Sequence, residues 1–118
     1  MKYMLLIYLA ENAMNDAERQ QCYVDSAQLA QDLAASGNYV GANPLQPVAT
    51  AKSLRVRDGN PVVTDGPFAE TREHLGGYFM IDAKNYDEAV AIARRIPAAK
   101  VGTVEIRPVM EIGGLPQG

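Results

Sequence analysis

Residues 65–81 read Asp-Gly-Pro-Phe-Ala-Glu-Thr-Arg-Glu-His-Leu-Gly-Gly-Tyr-Phe-Met-Ile, and this run joins a tight turn to an apolar strand. Its first four residues predict a sharp reversal, because Asp, Gly and Pro favour turn conformations. A short polar helical piece is expected next, ending near His74, the single histidine of the chain. Gly77–Asp82 then predicts a strand with apolar side chains on both faces. Such a strand needs cover on both sides.

Lys2–Leu9 is a second strand of this kind, because apolar residues occupy both of its faces. One face carries Tyr3, Leu5, Ile7 and Leu9, and the other carries Met4, Leu6 and Tyr8. Helices that cover one side of a sheet leave the other side bare, and a monomer rarely exposes an apolar patch of that size. We therefore expect a homodimer with two-fold symmetry, in which a second copy covers the bare face.

The other elements follow from periodicity and capping. Two amphipathic helices are expected, each with an Asn and a Glu three residues later at its start. An Asp-Gly-Asn turn between two short apolar runs predicts a β-hairpin. The predicted elements, besides the two strands above, are a helix over 15–36, a short or edge strand within 39–48, a hairpin over 53–64, a helix over 85–96 and a strand over 103–112.

This order predicts an α+β, ferredoxin-like fold, with an antiparallel sheet, two helices on one face and the hairpin as an elaboration. The stripes expected to face the sheet are Tyr23, Ala27, Ala30, Leu33 and Ala34 on the first helix, Tyr86, Ala89, Val90, Ala93 and Ile96 on the second, and Val104, Ile106, Met110 and Ile112 on the last strand. We expect one domain over residues 1–112 and a mobile tail over residues 113–118.

Composition narrows the class of protein. The 118 residues include 47% hydrophobic and 21% charged residues, as in globular domains, and the net charge of −3 disfavours direct contact with nucleic acid. The apolar start is too short for a signal peptide or a membrane span, and the lone Cys22 cannot form an internal disulfide, so a cytoplasmic location is expected. No nucleotide-binding glycine motif occurs, and one Cys with one His cannot form a zinc site without carboxylates or a second chain. No cofactor is predicted.

Several stretches together resemble one protein family. Asp65–Thr71 and Glu73–Tyr78 are similar to the signature of the DGPF-type branch of the YCII-related proteins, and the flanking matches are Met1–Ile7, Leu45–Pro47, Arg55–Gly59 and Val104–Pro108. The resemblance covers about residues 1 to 110. It implies a dimeric α/β-barrel assembly without a settled activity, and an association of some members with sigma factors of the extracytoplasmic-function type. It also implies a His–Asp pair with the histidine on the first helix. That helix has no histidine here, and Cys22 and Asp25 lie in the corresponding region.

His74 and Asp65 are the candidate catalytic residues. Histidine exchanges protons near neutral pH, and an aspartate at a strand end can orient an imidazole. Each residue also has a structural interpretation. Asp65 can cap the turn before Gly66-Pro67, and His74 can favour the negative end of a short helix.

The candidate ligand-binding residues are Tyr8, Arg55, Phe68 and Tyr78. The two tyrosines offer a hydroxyl on an apolar ring, which suits a pocket wall or a packed interface. Arg55 and Arg57 point to the same side of a strand, where they bind an anion or simply face solvent. Cys22 is expected to be a small, buried hydrophobic residue.

Three functions remain open. The first is a small-molecule enzyme, with His74 as acid or base, Asp65 as its orienting group and Tyr78 in the pocket wall. The second is a non-catalytic ligand sensor or accessory protein that acts with a sigma factor. The third is a structural dimer without a ligand. The sequence does not decide whether the protein is an enzyme.

Overall fold

The chain folds as an α+β protein with two α-helices and a mostly antiparallel arrangement of strands, as expected for a ferredoxin-like fold. The computed structural model describes residues 1–116. Its elements are β1 (Lys2–Leu9), α1 (Asp16–Ala35), β2 (Tyr39–Pro44), β3 (Lys52–Arg57), β4 (Asn60–Asp65), β5 (His74–Asp82), α2 (Tyr86–Ala93) and β6 (Thr103–Pro108). Single turns of 3₁₀ helix lie at Val48–Thr50 and Pro97–Lys100.

The main sheet has the strand order β2-β5-β1-β6, and every neighbouring pair is antiparallel. Leu5 of β1 lies opposite Phe79 of β5 and Ile106 of β6. This register puts one apolar row from each strand on the same face, where it packs with both helices. The core there contains Tyr3, Leu5, Ile7, Leu29, Leu33, Phe79, Ile81, Ala89, Ile92 and Ile96.

The opposite face of the sheet, which we call the open face, carries the second apolar row. Met4 lies opposite Met80 and Leu6 opposite Tyr78, and all four side chains are half-buried. Tyr8 continues the row and is also half-buried. The expectation that β1 and β5 are apolar on both faces is therefore confirmed. Within residues 1–116 no helix covers this face.

The start of α1 is set by the capping box that its sequence predicts. The side chain of Asn15 accepts a hydrogen bond from the Glu18 backbone N–H at 2.8 Å, and the Glu18 carboxylate accepts one from the Asn15 N–H at 3.0 Å. At the other end, Gly37 takes a φ of 81°, which glycine adopts without strain. α2 starts with half of this arrangement, since Asn85 caps the Glu88 N–H while the Glu88 side chain turns to Asn38 and Lys84.

The predicted apolar stripe of α2 was mostly confirmed, since Ala89, Ala93 and Ile96 are buried and Val90 is half-buried. The stripe of α1 was wrong by about one residue, although Leu33 and Ala30 do lie on its buried side. α1 buries Leu29 and Leu33, with the half-buried Arg19, Cys22, Ser26 and Ala30 on the same side, while Tyr23, Ala27 and Ala34 are exposed. α2 ends at Ala93 and buries Ala89, Ile92 and Ala93, while Tyr86 is exposed. Alanine is compatible with either side of a helix, so a stripe built mainly on alanines does not fix the rotation of the helix.

β3 and β4 form a hairpin that stands apart from the main sheet, and we call residues 52–65 the arm. Its turn is made by Asp58 and Gly59, with φ values of 51° and 77°, as the predicted Asp-Gly turn requires. The two strands pack mainly on each other. The radius of gyration is 16.0 Å, above the roughly 13–14 Å of a compact domain of this length. The smallest dimension is only 20 Å, so the arm extends sideways from a thin body.

The segment between the arm and β5 is a loop over residues 66–73, and the predicted helical piece is absent there. Pro67 lacks an N–H donor, and the hydroxyl of Thr71 donates to the carbonyl oxygen of Glu73, a local bond that competes with helix formation. β5 starts at His74 rather than at Gly77. Its register shifts at Gly76, and a Cβ on Gly77 would lie 3.0 Å from the Asn43 carbonyl oxygen of β2.

The last strand is shorter than predicted. Val104 and Ile106 pack against the core, as expected. β6 ends at Pro108, which lies opposite Tyr3 near the start of β1; the Val109 N–H still donates to the Lys2 carbonyl oxygen, and beyond it the partner strand has ended. Met110 and Ile112, expected inward, are 81% and 59% exposed. The predicted mobile tail, residues 113–118, falls partly outside the described residues, since 117 and 118 are not described.

Candidate functional site

A pocket lies between α1 and the main sheet, and we call it the α1 cavity. Its volume is about 710 Å³, within the range of roughly 300–1,000 Å³ typical of small-molecule pockets. The sheet contributes Ile7, Ala42 and Phe79 to its wall, and the helix contributes Cys22, Ser26 and Ala30. Tyr23 and Ala27 also border it, which explains why these two residues are accessible although the stripe prediction buried them.

The chain segments that carry Glu11, Arg19 and His74, all of which line the cavity, meet at one end of the sheet. β1 finishes there, α1 begins there, and His74 lies opposite Leu9 at the start of β5. Glu11 lies in the connecting loop and Arg19 in the second turn of α1. An apolar chamber with a few polar groups is the usual form of a ligand site.

Arg19 was not a candidate in the sequence, because a lone arginine near acidic residues in a helix reads as a solvated side chain. The signal that identifies it is spacing. Arg19 lies three residues before Cys22 and seven before Ser26, on the face that continues to Leu29 and Leu33. Its guanidinium lies 3.6 Å from Oδ1 of Asp16, and its side chain is 36% exposed.

His74 borders the α1 cavity and two further clefts. It is half-buried at the junction between the 66–73 loop and β5. One cleft, of about 1150 Å³, lies at the end of the open face against Tyr8, Phe68 and Thr103. The other, of about 560 Å³, is a shallow space that also touches Asp65. Among the predicted site residues, His74 therefore reaches the most accessible volumes.

Asp65 borders the same shallow cleft as His74, but its carboxylate has another partner. The Lys52 ammonium donates to Oδ1 of Asp65 at 2.9 Å across the base of the arm, and the Asp65 side chain is 87% exposed. Within residues 1–116 no hydrogen bond joins Asp65 to His74. The structure brings these two residues to one cleft without pairing them.

The remaining predicted residues are divided among three places. Arg55 stacks on the ring of Phe68, with its guanidinium carbon 4.8 Å from the ring centroid, and this pair lies at the arm rather than in the α1 cavity. Tyr8 lies on the open face opposite Leu75. Tyr78 borders the α1 cavity, and its hydroxyl accepts a hydrogen bond of 3.0 Å from the Asn43 amide. Cys22, predicted to be buried, is half-buried: it packs against the core and also lines the cavity.

Residues 1–116 contain neither a metal-binding cluster nor a membrane-spanning helix. No group of three or more His, Cys, Asp or Glu side chains is placed to hold a metal ion. No helix in this part of the chain combines the length and the apolar character that crossing a bilayer requires.

Comparison with known proteins gives the chain a family. Residues 1–113 match the model of the YCII-related domain. The chain is also similar to the uncharacterized protein R00369 of Rhizobium meliloti (strain 1021), with 36% identity over 92% of each chain. The match spans both helices, the arm and all four strands of the main sheet, so the protein belongs to the YCII-related family.

Proposed function

We propose that this protein binds a small, largely apolar molecule in the α1 cavity. The observation that carries the proposal is the cavity itself, which has about 710 Å³ of space and apolar walls from both the sheet and α1. A core normally fills such space with side chains, because interiors are close-packed. Here four of the six α1 residues that line the cavity are small, namely Cys22, Ser26, Ala27 and Ala30. The Asp65–Phe68 motif supports placing the chain in the DGPF-type branch of its family.

We further propose that His74 exchanges a proton with the bound molecule. It borders the cavity together with Glu11 and Arg19, and an imidazole serves as acid or base near neutral pH. Asp65 does not orient it through a direct contact, since that carboxylate is engaged by Lys52. A non-catalytic sensor, including one that acts with a sigma factor, would use the same cavity without turnover.

A blocked cavity tests the binding proposal. Ser26→Phe places a ring in the cavity, whereas Gln31→Phe adds the same ring to an exposed position of the same helix. A compound that binds the native state raises the melting temperature. In a thermal-shift screen of small apolar compounds, we expect hits with the wild-type protein and Gln31→Phe and loss of these hits in Ser26→Phe. Hits that persist in folded Ser26→Phe would refute binding in the cavity.

The catalytic part is tested separately with His74→Gln. For a hit that the wild-type protein converts, this variant should retain the thermal shift and lose turnover measured by mass spectrometry. Unchanged turnover would remove His74 from the mechanism. Recovery of every hit unaltered from the wild-type protein would favour the sensor over the enzyme.

We also propose a homodimer, formed by two open faces packed on each other. Five adjacent half-buried side chains support this proposal, namely Met4, Leu6, Tyr8, Tyr78 and Met80. Two sheets pack about 10 Å apart when their apolar faces interdigitate. The Glu105–Arg107 ion pair, at 2.7 Å, lies on β6 at one border of this face, where a polar rim is expected.

The arm extends the proposed dimer contact. Cross-strand pairing puts Leu54, Val56, Pro61 and Val63 on one face of the hairpin, with Leu54 63% and Val63 60% exposed. A two-stranded hairpin is marginal in water without cover. Strands of six residues reach about 20 Å, and the thin body leaves the arm at its side, which favours a second copy of this chain as the cover.

The distribution of charge also favours a second copy of this chain as the partner that covers the arm. The arm carries three basic and two acidic residues, a net charge of +1, whereas the rest of the chain carries eight basic and twelve acidic residues, a net charge of −4. We expect Leu54→Lys to weaken the dimer in sedimentation experiments, and Val24→Lys, at an exposed position of α1, to leave it unchanged. Equal dissociation constants for wild type and Leu54→Lys would exclude the arm from the contact.

A further inference from the structure

We propose that the molecule bound in the α1 cavity carries one anionic group and that Arg19 binds it. This inference rests on the proposed function of the cavity and names the chemical class of the ligand. That class is an apolar body, such as one or two rings, with a single carboxylate or similar monoanion.

The first support is the position of Arg19. Its side chain is only 36% exposed and lines a cavity whose other walls are mainly apolar. Arginine commonly packs its methylene stem on apolar surface while its guanidinium stays at a polar opening. The guanidinium therefore lies where one end of a bound molecule would meet it.

The second support is that the hydrogen-bonding capacity of Arg19 is available. A guanidinium has five N–H donors. Its ion pair with Asp16 spans 3.6 Å, well beyond the 2.7–2.9 Å of a charge-assisted hydrogen bond. Asp16 is fully exposed, and within residues 1–116 the Arg19 side chain donates no hydrogen bond. A carboxylate that enters the cavity can therefore accept two N–H hydrogen bonds from the guanidinium without breaking a strong contact.

The third support concerns the charge of the ligand. Glu11 borders the same cavity, and Asp16 lies beside the guanidinium. These two carboxylates against one arginine leave the region with a formal charge of −1. This charge would repel a doubly charged phosphate ester more strongly than a monoanion, so among anionic groups a single carboxylate or sulfonate fits the region better than a dianion.

Two dyes with the same apolar frame test the inference. Anilinonaphthalene sulfonate carries one negative charge, and its parent, N-phenylnaphthylamine, is uncharged. Fluorescence titration gives the dissociation constant of each dye for the full chain. Arg19→Met removes the charge and keeps the stem. Arg95→Met is the matched control, because Arg95 forms a similarly long ion pair, 3.8 Å to Asp32, and does not line the cavity.

We expect Arg19→Met to weaken the sulfonate about tenfold or more, as loss of a charge-assisted hydrogen bond predicts, and to change the affinity of the uncharged dye less than twofold. Arg19→Lys should restore part of the sulfonate affinity, and Arg95→Met should change neither dye. Equal loss of both dyes in Arg19→Met, or unchanged sulfonate binding, would overturn the role of Arg19.

The same titrations separate this inference from the proposed function. Ser26→Phe should abolish cavity binding of both dyes, with circular dichroism checking that the variant is folded. If Ser26→Phe leaves the uncharged dye bound, the cavity is not the binding site and both proposals fail. A different outcome is that Ser26→Phe abolishes binding of the uncharged dye while Arg19→Met leaves the affinity for the sulfonate unchanged. In that case binding in the cavity is supported, and only the anionic class of ligand is wrong.

Discussion

The hydroxyl of Thr103 donates a hydrogen bond of 2.7 Å to Oε1 of Glu73, and this bond ties the 66–73 loop to the first residue of β6. Glu73 immediately precedes His74, so the bond holds the residue next to the candidate acid or base. Thr103→Val keeps the shape of the side chain and removes the donor. We expect a loss of about 0.5–1.5 kcal/mol in unfolding free energy and faster amide exchange in the 66–73 loop, measured by hydrogen–deuterium exchange.

Thr50→Val is the matched control for this experiment. The Thr50 hydroxyl also makes one hydrogen bond, of 2.7 Å to the Pro47 carbonyl oxygen, but it lies in another loop. It should leave exchange in the 66–73 loop unchanged. An equal increase for both variants would mean that the Glu73–Thr103 bond does not restrain the loop.

Gly102 is a position where the fold depends on the absence of a side chain. A Cβ there would overlap the carbonyl oxygen of Tyr8 and lie 2.7 Å from Cδ2 of Leu9. Because backbone atoms cannot shift without a large energetic penalty, Gly102→Ala should lower the free energy of unfolding by about 1–3 kcal/mol or more, as measured by chemical denaturation. At Gly41 of β2 a Cβ meets nothing within 4 Å, and Gly41→Ala should be nearly neutral. A neutral Gly102→Ala would show that β1 and the start of β6 are not packed this closely.

The open face predicts that the chain has the mass of a dimer in solution. Leu6 is half-buried at the centre of that face, opposite Tyr78 and Glu105 on the neighbouring strands. Leu6→Lys places a charge where the proposed dimer excludes water, and an unpaired buried charge is costly. Light scattering should report a dimer for the wild-type chain at micromolar concentration and a folded monomer for Leu6→Lys.

Val24→Lys again serves as the control, because Val24 is 62% exposed on α1 and lies away from the open face. It should remain dimeric. A wild-type chain that is a folded monomer under the same conditions would contradict the proposed dimer.

Asp82 gives the fold a dependence on pH. The Met1 ammonium donates a hydrogen bond of 2.8 Å to Oδ1 of Asp82, and this bond, with the charge of the ammonium and a smaller effect of Lys2, lowers the pKa of the Asp82 carboxyl below 3.8. Because the folded pKa is lower than the unfolded one, the pair stabilises the fold above the unfolded pKa. That stabilisation disappears as the pH falls through the folded pKa.

Asp82→Asn should therefore be less stable than the wild type near neutral pH and equal to it at about pH 2, as measured by urea denaturation. Asp58→Asn is the control, since Asp58 sits in the arm turn, where Asn is also tolerated at positive φ. A difference for Asp82→Asn that persists unchanged in acid would have a cause other than this ion pair.

The strands were predictable from the pattern of their apolar residues. β1 was recognisable because Tyr3–Leu9 is apolar on both rows, but a shift by one residue would only exchange Leu5 with Leu6, so the sequence did not decide which row faces the helices; the structure places Leu5 in the core and Leu6 on the open face. The capping box of α1 and the Asp58-Gly59 turn were equally local, and both appear where the sequence places them, whereas α2 keeps only the Asn85 half of its predicted box.

The candidate site was less predictable because it depends on the rotation of α1. Small residues such as Cys22, Ser26 and Ala30 pack closely on a sheet or border a cavity, and the sequence alone does not distinguish the two. Once α1 is rotated by one residue, Arg19 reaches the cavity and Tyr23 borders it. His74 was identified because it is the single histidine, whereas its separation from Asp65 depends on Lys52, a partner across the arm.

In the proposed dimer, the apolar face of the arm would couple assembly to local order. Within residues 1–116 Leu54, Val56 and Val63 stay exposed, so the hairpin would gain most of its stability when the second copy binds. On dilution the first part of the molecule to melt should then be the arm, while the sheet and helices persist. Proteases would then cleave the arm while the core stays folded. The lifetime of each chain would therefore depend on the concentration of the protein.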